Sequence, residues 1–265
     1  MIINIFDYFP NVVCLNCVTT SNHIERRKSA ERELLKIMPV PYINDSDRFM
    51  FSDMVRIPGL EDIIRGYDQR NRIVFMGESS IFSEKSLRCF DYSLNLVMLF
   101  TRLLTVFPKR DYFFFYEDDV HFSNDPKLWK NVLDNCPYSD IMLFDGHIAH
   151  SQKELAFLTE ENPYWYKYEG IVWNISCFAL SRKGMEFLRD IMRDYLANPD
   201  YFTWATPDTK INDRFTAEYP LLTKFEKIPR HIVKIPTAKQ WFEEDTSIHG
   251  QKGNDNSIEY LSDYT

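Results

Sequence analysis

The chain is poor in glycine, with 8 among 265 residues, and no glycine-rich run follows its first apolar stretch. Loops that cradle phosphates through bare backbone need such a run. Nucleotidyltransferases and phosphohydrolases that rely on one therefore fit less well, as do those with more dispersed acids. Long hydrophobic runs are also missing, and none approaches the roughly 20 apolar residues that cross a bilayer as a helix. The opening Met1-Ile-Ile-Asn-Ile-Phe-Asp-Tyr-Phe-Pro10 has no basic segment and no small-residue cleavage site, which argues against a secretory signal. The 5 cysteines are an odd number without framework spacing, which fits a reducing compartment and a cytoplasmic protein. Cys14-Leu-Asn-Cys17 matches C-x-x-C, but extended backbone there sends the two thiols to opposite faces. No second pair completes a zinc site. Positive charge is scarce too. The 31 Lys and Arg face 39 Asp and Glu, for a net charge of -8. That balance disfavours general attraction to nucleic-acid backbones, although Lys224, Lys227, Arg230, His231 and Lys234 form a local basic cluster.

What is present is core material: 45% hydrophobic and 15% aromatic residues. Asn11-Val-Val-Cys-Leu15 reads as a buried strand. Asn22 with Glu25 forms a capping-box pattern, opening a helix whose Ala30, Leu34 and Leu35 share a face. Arg72-Ile-Val-Phe-Met76 reads as a second strand. A long helical pattern runs from Ser86 to Phe107, with Leu87, Phe90, Leu94, Val97, Met98 and Leu104 apolar and Pro108 as its stop. Asp125-Pro126 caps a further helix to about Asn135. Ile141 to Phe144 and Ile171 to Leu180 read as strands, the second followed by a Ser181-capped helix to about Tyr195. His231 to Ile235 is a last short strand, and the sequence beyond Pro236 is polar and loop-like. Strands alternating with helices, without evident hairpin turns, predict an α/β fold with a mostly parallel sheet covered on both faces. No repeat or linker interrupts the sequence, so 1–265 reads as one domain.

The most informative stretch is Tyr112-Phe-Phe-Phe-Tyr-Glu-Asp-Asp-Val-His121. A buried aromatic strand here ends on Glu117, Asp118 and Asp119. Open α/β sheets bind ligands beyond the carboxyl ends of their strands. Three adjacent carboxylates repel one another, so their joint ionisation needs a compensating charge. A hard divalent cation such as Mn²⁺ or Mg²⁺ supplies it through oxygen ligands. The alternative is a solvated loop that merely follows a strand.

An apolar strand ending in Glu-Asp-Asp-Val resembles the acidic metal motif of GT-A-fold glycosyltransferases, in the "LEDD" form of the family 25 lipopolysaccharide and collagen galactosyltransferase type. Val13-Cys-Leu-Asn-Cys17 followed by Glu25-Arg-Arg27 resembles that family's opening strand and helix, with Cys17 where the family carries Leu. Ala179-Leu-Ser-Arg-Lys-Gly184, preceded by a strand, resembles a third family segment. The similarity extends loosely from Val12 to Thr209. It implies a GT-A-like, Rossmann-type fold and transfer of a sugar from a nucleotide diphosphate donor to an acceptor hydroxyl, with inversion. A nucleotide-sugar-binding half would span 1–120, and an acceptor half with the C-terminal loop region 121–265.

The resemblance implies roles residue by residue. Asp119 would be the direct ligand of Mn²⁺ or Mg²⁺, with Glu117 beside it, and Asp118 or Glu117 would hold metal-bound water or the ribose. A late His249, in Thr246-Ser-Ile-His-Gly250, is the candidate for a further metal ligand, or else a surface histidine. Asn16, Thr19 and Thr20 lie where such enzymes place the nucleoside. Arg27 could reach the base or diphosphate, whereas Arg26 reads equally as a solvated helix charge. Asn95 either faces the donor or is a polar residue on a helix surface. An inverting transferase needs a base to deprotonate the acceptor. Asp208, in Ala205-Thr-Pro-Asp-Thr209, is the first candidate, with Asp213 and Asp145 as the others. Asp208 would otherwise cap a helix carrying Ile211 and Phe215. His147 and His150 after the Ile141 strand offer a metal or acceptor contact or a plain loop. Tyr164-Trp165-Tyr166 and Trp173 offer a sugar-stacking platform or core packing. The acidic surface favours a glycan or small-molecule acceptor and leaves a nucleic-acid acceptor open. Another metal-dependent nucleotide enzyme, or a non-catalytic sugar-binding module on the same fold, are the competing functions.

Overall fold

The computed structural model describes residues 3–18, 22–39, 48–59, 84–146, 152–169, 176–197 and 228–240. Its strands in chain order are β1 (Asn11–Cys17), β2 (Phe49–Met54), β3 (Tyr112–Glu117), β4 (Val120–Phe122), β5 (Ile141–Leu143), β6 (Leu158–Asn162), β7 (Trp165–Tyr168), β8 (Cys177–Ser181), β9 (Arg230–Val233) and β10 (Ala238–Gln240). The helices are α1 (His23–Leu34), α2 (Glu84–Val106), α3 (Pro126–Asp134) and α4 (Arg182–Ala197). An 8-stranded sheet has the order β2-β1-β3-β8-β5-β9-β7-β6, and β4 pairs with β10 in a small second sheet. Strands β1, β2, β3, β5, β6 and β9 run one way and β7 and β8 the other. The mostly parallel sheet expected from the sequence is therefore present.

Helices cover both faces, and β3 shows why. Successive strand side chains point to opposite faces. Phe113 and Phe115 join Val13, Leu15, Leu180 and the α2 residues Leu99, Phe100 and Leu103 in one core. Phe114 and Tyr116 join Val12, Cys14, Ala30 and Leu34 of α1, and Trp129 of α3 in the other. All four central residues of β3 are completely buried. Phe115 stacks on Phe178 at 5.0 Å between ring centroids, and Phe114 meets Phe144 edge-on at 5.2 Å. A strand buried on both faces reads as a continuous apolar run, which is what Phe-Phe-Phe-Tyr is.

Local signals fix two helix starts as the sequence implies. Asp125 Oδ1 accepts from the backbone N–H of Lys127 at 2.8 Å and Leu128 at 3.2 Å. Ser181 Oγ accepts from the Gly184 N–H at 2.9 Å. The capping box at α1 does not form, since the Asn22 side chain makes no cap bond. On α1 Ala30 and Leu34 are buried, but Leu35 lies past the helix end and is exposed. On α2 the buried face carries Leu96, Leu99, Phe100, Leu103 and Leu104, while Met98 is exposed. The 3.6-residue period places Met98 on the outer side of the stripe that Leu96 and Leu103 define.

Three further expectations change. The sheet does contain a hairpin: Asn162 Oδ1 accepts from the N–H groups of Tyr164 and Trp165 and turns β6 into β7. The polar stretch after Pro236 is not all loop, because β10 pairs antiparallel with β4. The basic cluster is not a surface patch where it is described, since Arg230 and His231 are buried in β9 and Lys234 pairs with Glu160. Strand β2, which the apolar pattern does not single out, is the parallel neighbour of β1. The expected strand at Arg72–Met76 lies outside the described residues.

Gly184 is fixed by close approach. A Cβ there would stand 2.1 Å from the Asp140 carbonyl oxygen, a backbone atom that cannot rotate away. Gly184→Ala is expected to lower unfolding free energy by about 1–3 kcal/mol, the usual cost of overpacking. A denaturant midpoint equal to wild type would contradict this contact.

Candidate functional site

The parallel strands bring their carboxyl ends to one edge of the sheet. Asn16 near the end of β1 stands opposite Asp53 near the end of β2, and Leu15 stands opposite Glu117. Asp145 follows β5 two strands away, with the start of β8 between them. Asn16, Asp53, Glu117, Asp118, Asp119 and Asp145 therefore converge at one edge, though they come from distant parts of the sequence. In open α/β sheets, ligands bind beyond this edge.

The acids have individual partners. Asp118 is 3% exposed and Asp119 is largely covered. Both converge on the guanidinium of Arg26, whose Nη2 lies 2.5 Å from Asp118 Oδ1 and 2.9 Å from Asp119 Oδ2. The compensating charge that three adjacent carboxylates require is thus supplied, for two of them, from the first turns of α1. Glu117 Oε1 accepts from the Tyr92 hydroxyl of α2 at 2.5 Å. Backbone bonds seat the turn: the Asp118 N–H donates to Leu15 O at 3.1 Å and the Glu117 N–H to Ser176 O at 2.8 Å.

The far end of α1 grips the same feature. Glu33, buried, accepts from the Phe122 N–H at 2.7 Å, and Lys36 donates to Phe122 O at 3.1 Å. Helix α1 is therefore tied to the acidic turn at its start and to β4 at its end. Antiparallel pairing sets Gln240 opposite Val120, so the chain leaves β10 at the acidic end of β4.

The neighbouring pieces are equally specific. Asn16 is buried and its Nδ2 donates to Asp53 Oδ1 at 2.7 Å, while Asn16 Oδ1 has no hydrogen-bond partner among the described residues. Arg27 lies over the Phe51 ring of β2, 4.0 Å from its centroid, on a different side of α1 from Arg26. Asp145 is buried, and its Oδ2 accepts from the Ser176 N–H at 3.2 Å and hydroxyl at 2.9 Å. Asn95 is buried rather than on a helix surface, and its Nδ2 donates to Val55 O at 2.8 Å and Asp91 O at 2.7 Å. It ties α2 to the segment after β2.

The structure thus gathers Asn16, Glu117, Asp118, Asp119 and Asp145 at the edge, with Arg27 close by on α1. Thr19, Thr20, Asp208, Asp213 and His249 lie outside the described residues, as do His147, His150 and Trp173. Trp165 is core rather than platform: it is completely buried and donates through Nε1 to Val132 O at 2.9 Å. Sequence reasoning missed Asp53, Tyr92 and the role of Arg26. Asp53 carries the same signature as Glu117, an acid at a strand end. Nothing in the sequence distinguishes Arg26 from Arg27.

As a cation seat, Asp118 and Asp119 offer the hard carboxylate oxygens that Mg²⁺ and Mn²⁺ take. Their donor type fits such an ion. Among the described residues no group of three or more His, Cys, Asp or Glu is placed to hold a metal, so they would form part of a ligand set.

No protein-family model matches the chain, and no curated protein matches it. Solved structures similar to it include a glycosyltransferase involved in the glycosylation of the major capsid of PBCV-1, at 12% identity, covering 75% of this chain and 71% of that one, with a TM-score of 0.35. Another is mannose-1-phosphate geranyltransferase from Thermus thermophilus, at 13% identity, 84% and 73% coverage and a TM-score of 0.35. Mouse xyloside xylosyltransferase 1 is a third, at 12% identity, 80% and 83% coverage and a TM-score of 0.33. No described helix is long and apolar enough to cross a membrane.

The bonds of Asn95 give a discriminating test. Asn95→Ala strips two carbonyls of their buried donor and is expected to cost about 1–3 kcal/mol. The loss should be the same with and without nucleotide in thermal denaturation. A loss confined to nucleotide-containing samples would instead assign Asn95 to the donor.

Proposed function

We propose that the protein is a metal-dependent glycosyltransferase of GT-A type, resembling family 25, that moves a sugar from a nucleotide diphosphate to an acceptor hydroxyl with inversion. The observation that carries this reading is the convergence of Asn16, Asp53 and the Glu117–Asp119 turn at one edge of a mostly parallel sheet. On this reading a cation and a nucleoside would bind side by side there.

Asp119, with Asp118, would hold Mn²⁺ or Mg²⁺. A bound ion would supply positive charge against the departing diphosphate. Glu117, held by Tyr92, borders the same seat. His249 is the proposed additional ligand; Gln240, the last described residue of β10, stands opposite Val120, next to Asp119. Asn16, near the end of β1, carries a buried acceptor oxygen suited to an N–H of the base. Thr19 and Thr20 follow it in sequence, and Arg27 on Phe51 offers a cationic face to the nucleotide. Asn95 would act by holding α2 against the segment after β2.

Asp208 is proposed as the base that takes the acceptor proton, with Asp213 and Asp145 as the other candidates. Asp145 is the described one, two strands from Glu117 and fixed by Ser176. The acceptor is proposed to be a glycan or small molecule, on the net charge of -8. The buried Cys14 and Cys177 are free thiols, which supports a reducing, cytoplasmic setting.

Two variants test the roles. Asp119→Asn is expected to lower metal-dependent donor hydrolysis and transfer about a hundredfold or more, with the fold intact by circular dichroism. Near-normal turnover would remove the metal assignment. Asp208→Asn is expected to keep donor binding and lose transfer, and retained transfer would move the base elsewhere. In differential scanning, UDP, GDP or CMP should raise the transition temperature more with Mn²⁺ than without. No such stabilisation by any nucleotide would count against a transferase.

A further inference from the structure

We propose that Arg26 is a resident cation of the acidic seat, and that its guanidinium and a divalent ion are alternative occupants of the Asp118 and Asp119 oxygens. This rests on reading those acids as a cation seat, and it names the residue that controls access to it. The geometry is specific. One nitrogen, Nη2, lies 2.5 Å from Asp118 Oδ1 and 2.9 Å from Asp119 Oδ2. A cation that bridges both carboxylates through one atom stands where a shared metal ion would stand. The Arg26 side chain is only 14% exposed, so this is no solvated surface pair.

Electrostatics makes the two occupants exclusive. Like charges a few Å apart repel strongly at the effective dielectric of a protein surface. A dication beside a retained guanidinium would place two like-charged groups on the same two carboxylate oxygens. That repulsion is relieved when an anion such as a nucleoside diphosphate enters as well. Arginine suits an exchange of partners, because its planar fork matches carboxylate and phosphate alike. Arg26 released from the acids remains at the same sheet edge, since α1 stays anchored through Glu33 and Lys36 on β4. The seat would therefore bind metal weakly by itself and well together with the diphosphate. Metal loading and donor binding become one coupled event.

The direct test is Mn²⁺ binding to the full chain without nucleotide, read by the electron paramagnetic resonance of the free ion. Arg26→Met is expected to bind Mn²⁺ roughly tenfold tighter than wild type or better, and Arg26→Lys, which keeps a cation, to fall between. Unchanged or weaker binding by Arg26→Met, or no Mn²⁺ binding by any of the three, overturns the proposal. Arg26→Met also leaves buried carboxylates without their cation and is expected to melt earlier. Recovery of its transition temperature by Mn²⁺, but not by NaCl of equal ionic strength, supports the proposal, and no selective recovery overturns it. Transfer is not read in this experiment. Tighter Mn²⁺ binding in a protein that turns over no nucleotide sugar would keep the competition and discard the transferase. Turnover without that tightening would do the reverse.

Discussion

A carboxylate almost out of solvent needs a partner, and Asp118 finds it in Arg26. Burial of a charge without compensation costs several kcal/mol, so this contact dictates where α1 can lie. Its first turns must reach the turn after β3. The other end of the helix meets a similar demand, because buried Glu33 takes the Phe122 N–H. On the same helix Ala30 and Leu34 complete the core against Tyr116 and Trp129. The helix, the central strand and the acidic turn therefore form one unit.

The site follows from that unit. Four completely buried aromatic residues hold β3 in the middle of the sheet, which leaves Glu117, Asp118 and Asp119 no freedom to move along the edge. Tyr92 then holds Glu117, and Arg26 holds the pair that follows. Parallel pairing with β1 and β2 adds Asn16 and Asp53 beside them. Chemistry that depends on placing a cation against a diphosphate benefits from such preorganisation, because the charges need not reorganise as the bond breaks.

Legibility in the sequence followed the range of the interactions. The aromatic strand, its acidic end, the Asp125-Pro126 cap and the Ser181 cap are local patterns, and all form as read. Features set by distant partners were hidden. Arg26 and Arg27 are adjacent letters, yet one helical step sends the first to the acids and the second over Phe51. β10 is only Ala-Lys-Gln and becomes a strand because β4 is there to pair with it. The hairpin of β6 and β7 does carry a local signal, Asn162-Pro163, an Asx-turn pattern. Asn95 looked like a surface amide because its partners, Val55 and Asp91, include one far away in sequence.

The proposed roles meet in one event, the activation of a nucleotide diphosphate sugar at this edge with the help of a divalent ion. A donor-hydrolysis screen reads that event, with the full chain offered a panel of UDP-, GDP- and CMP-linked sugars with Mn²⁺ or with EDTA. Release of nucleotide is expected from at least one donor that contains a diphosphate, dependent on Mn²⁺ and absent in EDTA. Hydrolysis that is indifferent to EDTA, or none with any donor, would contradict it.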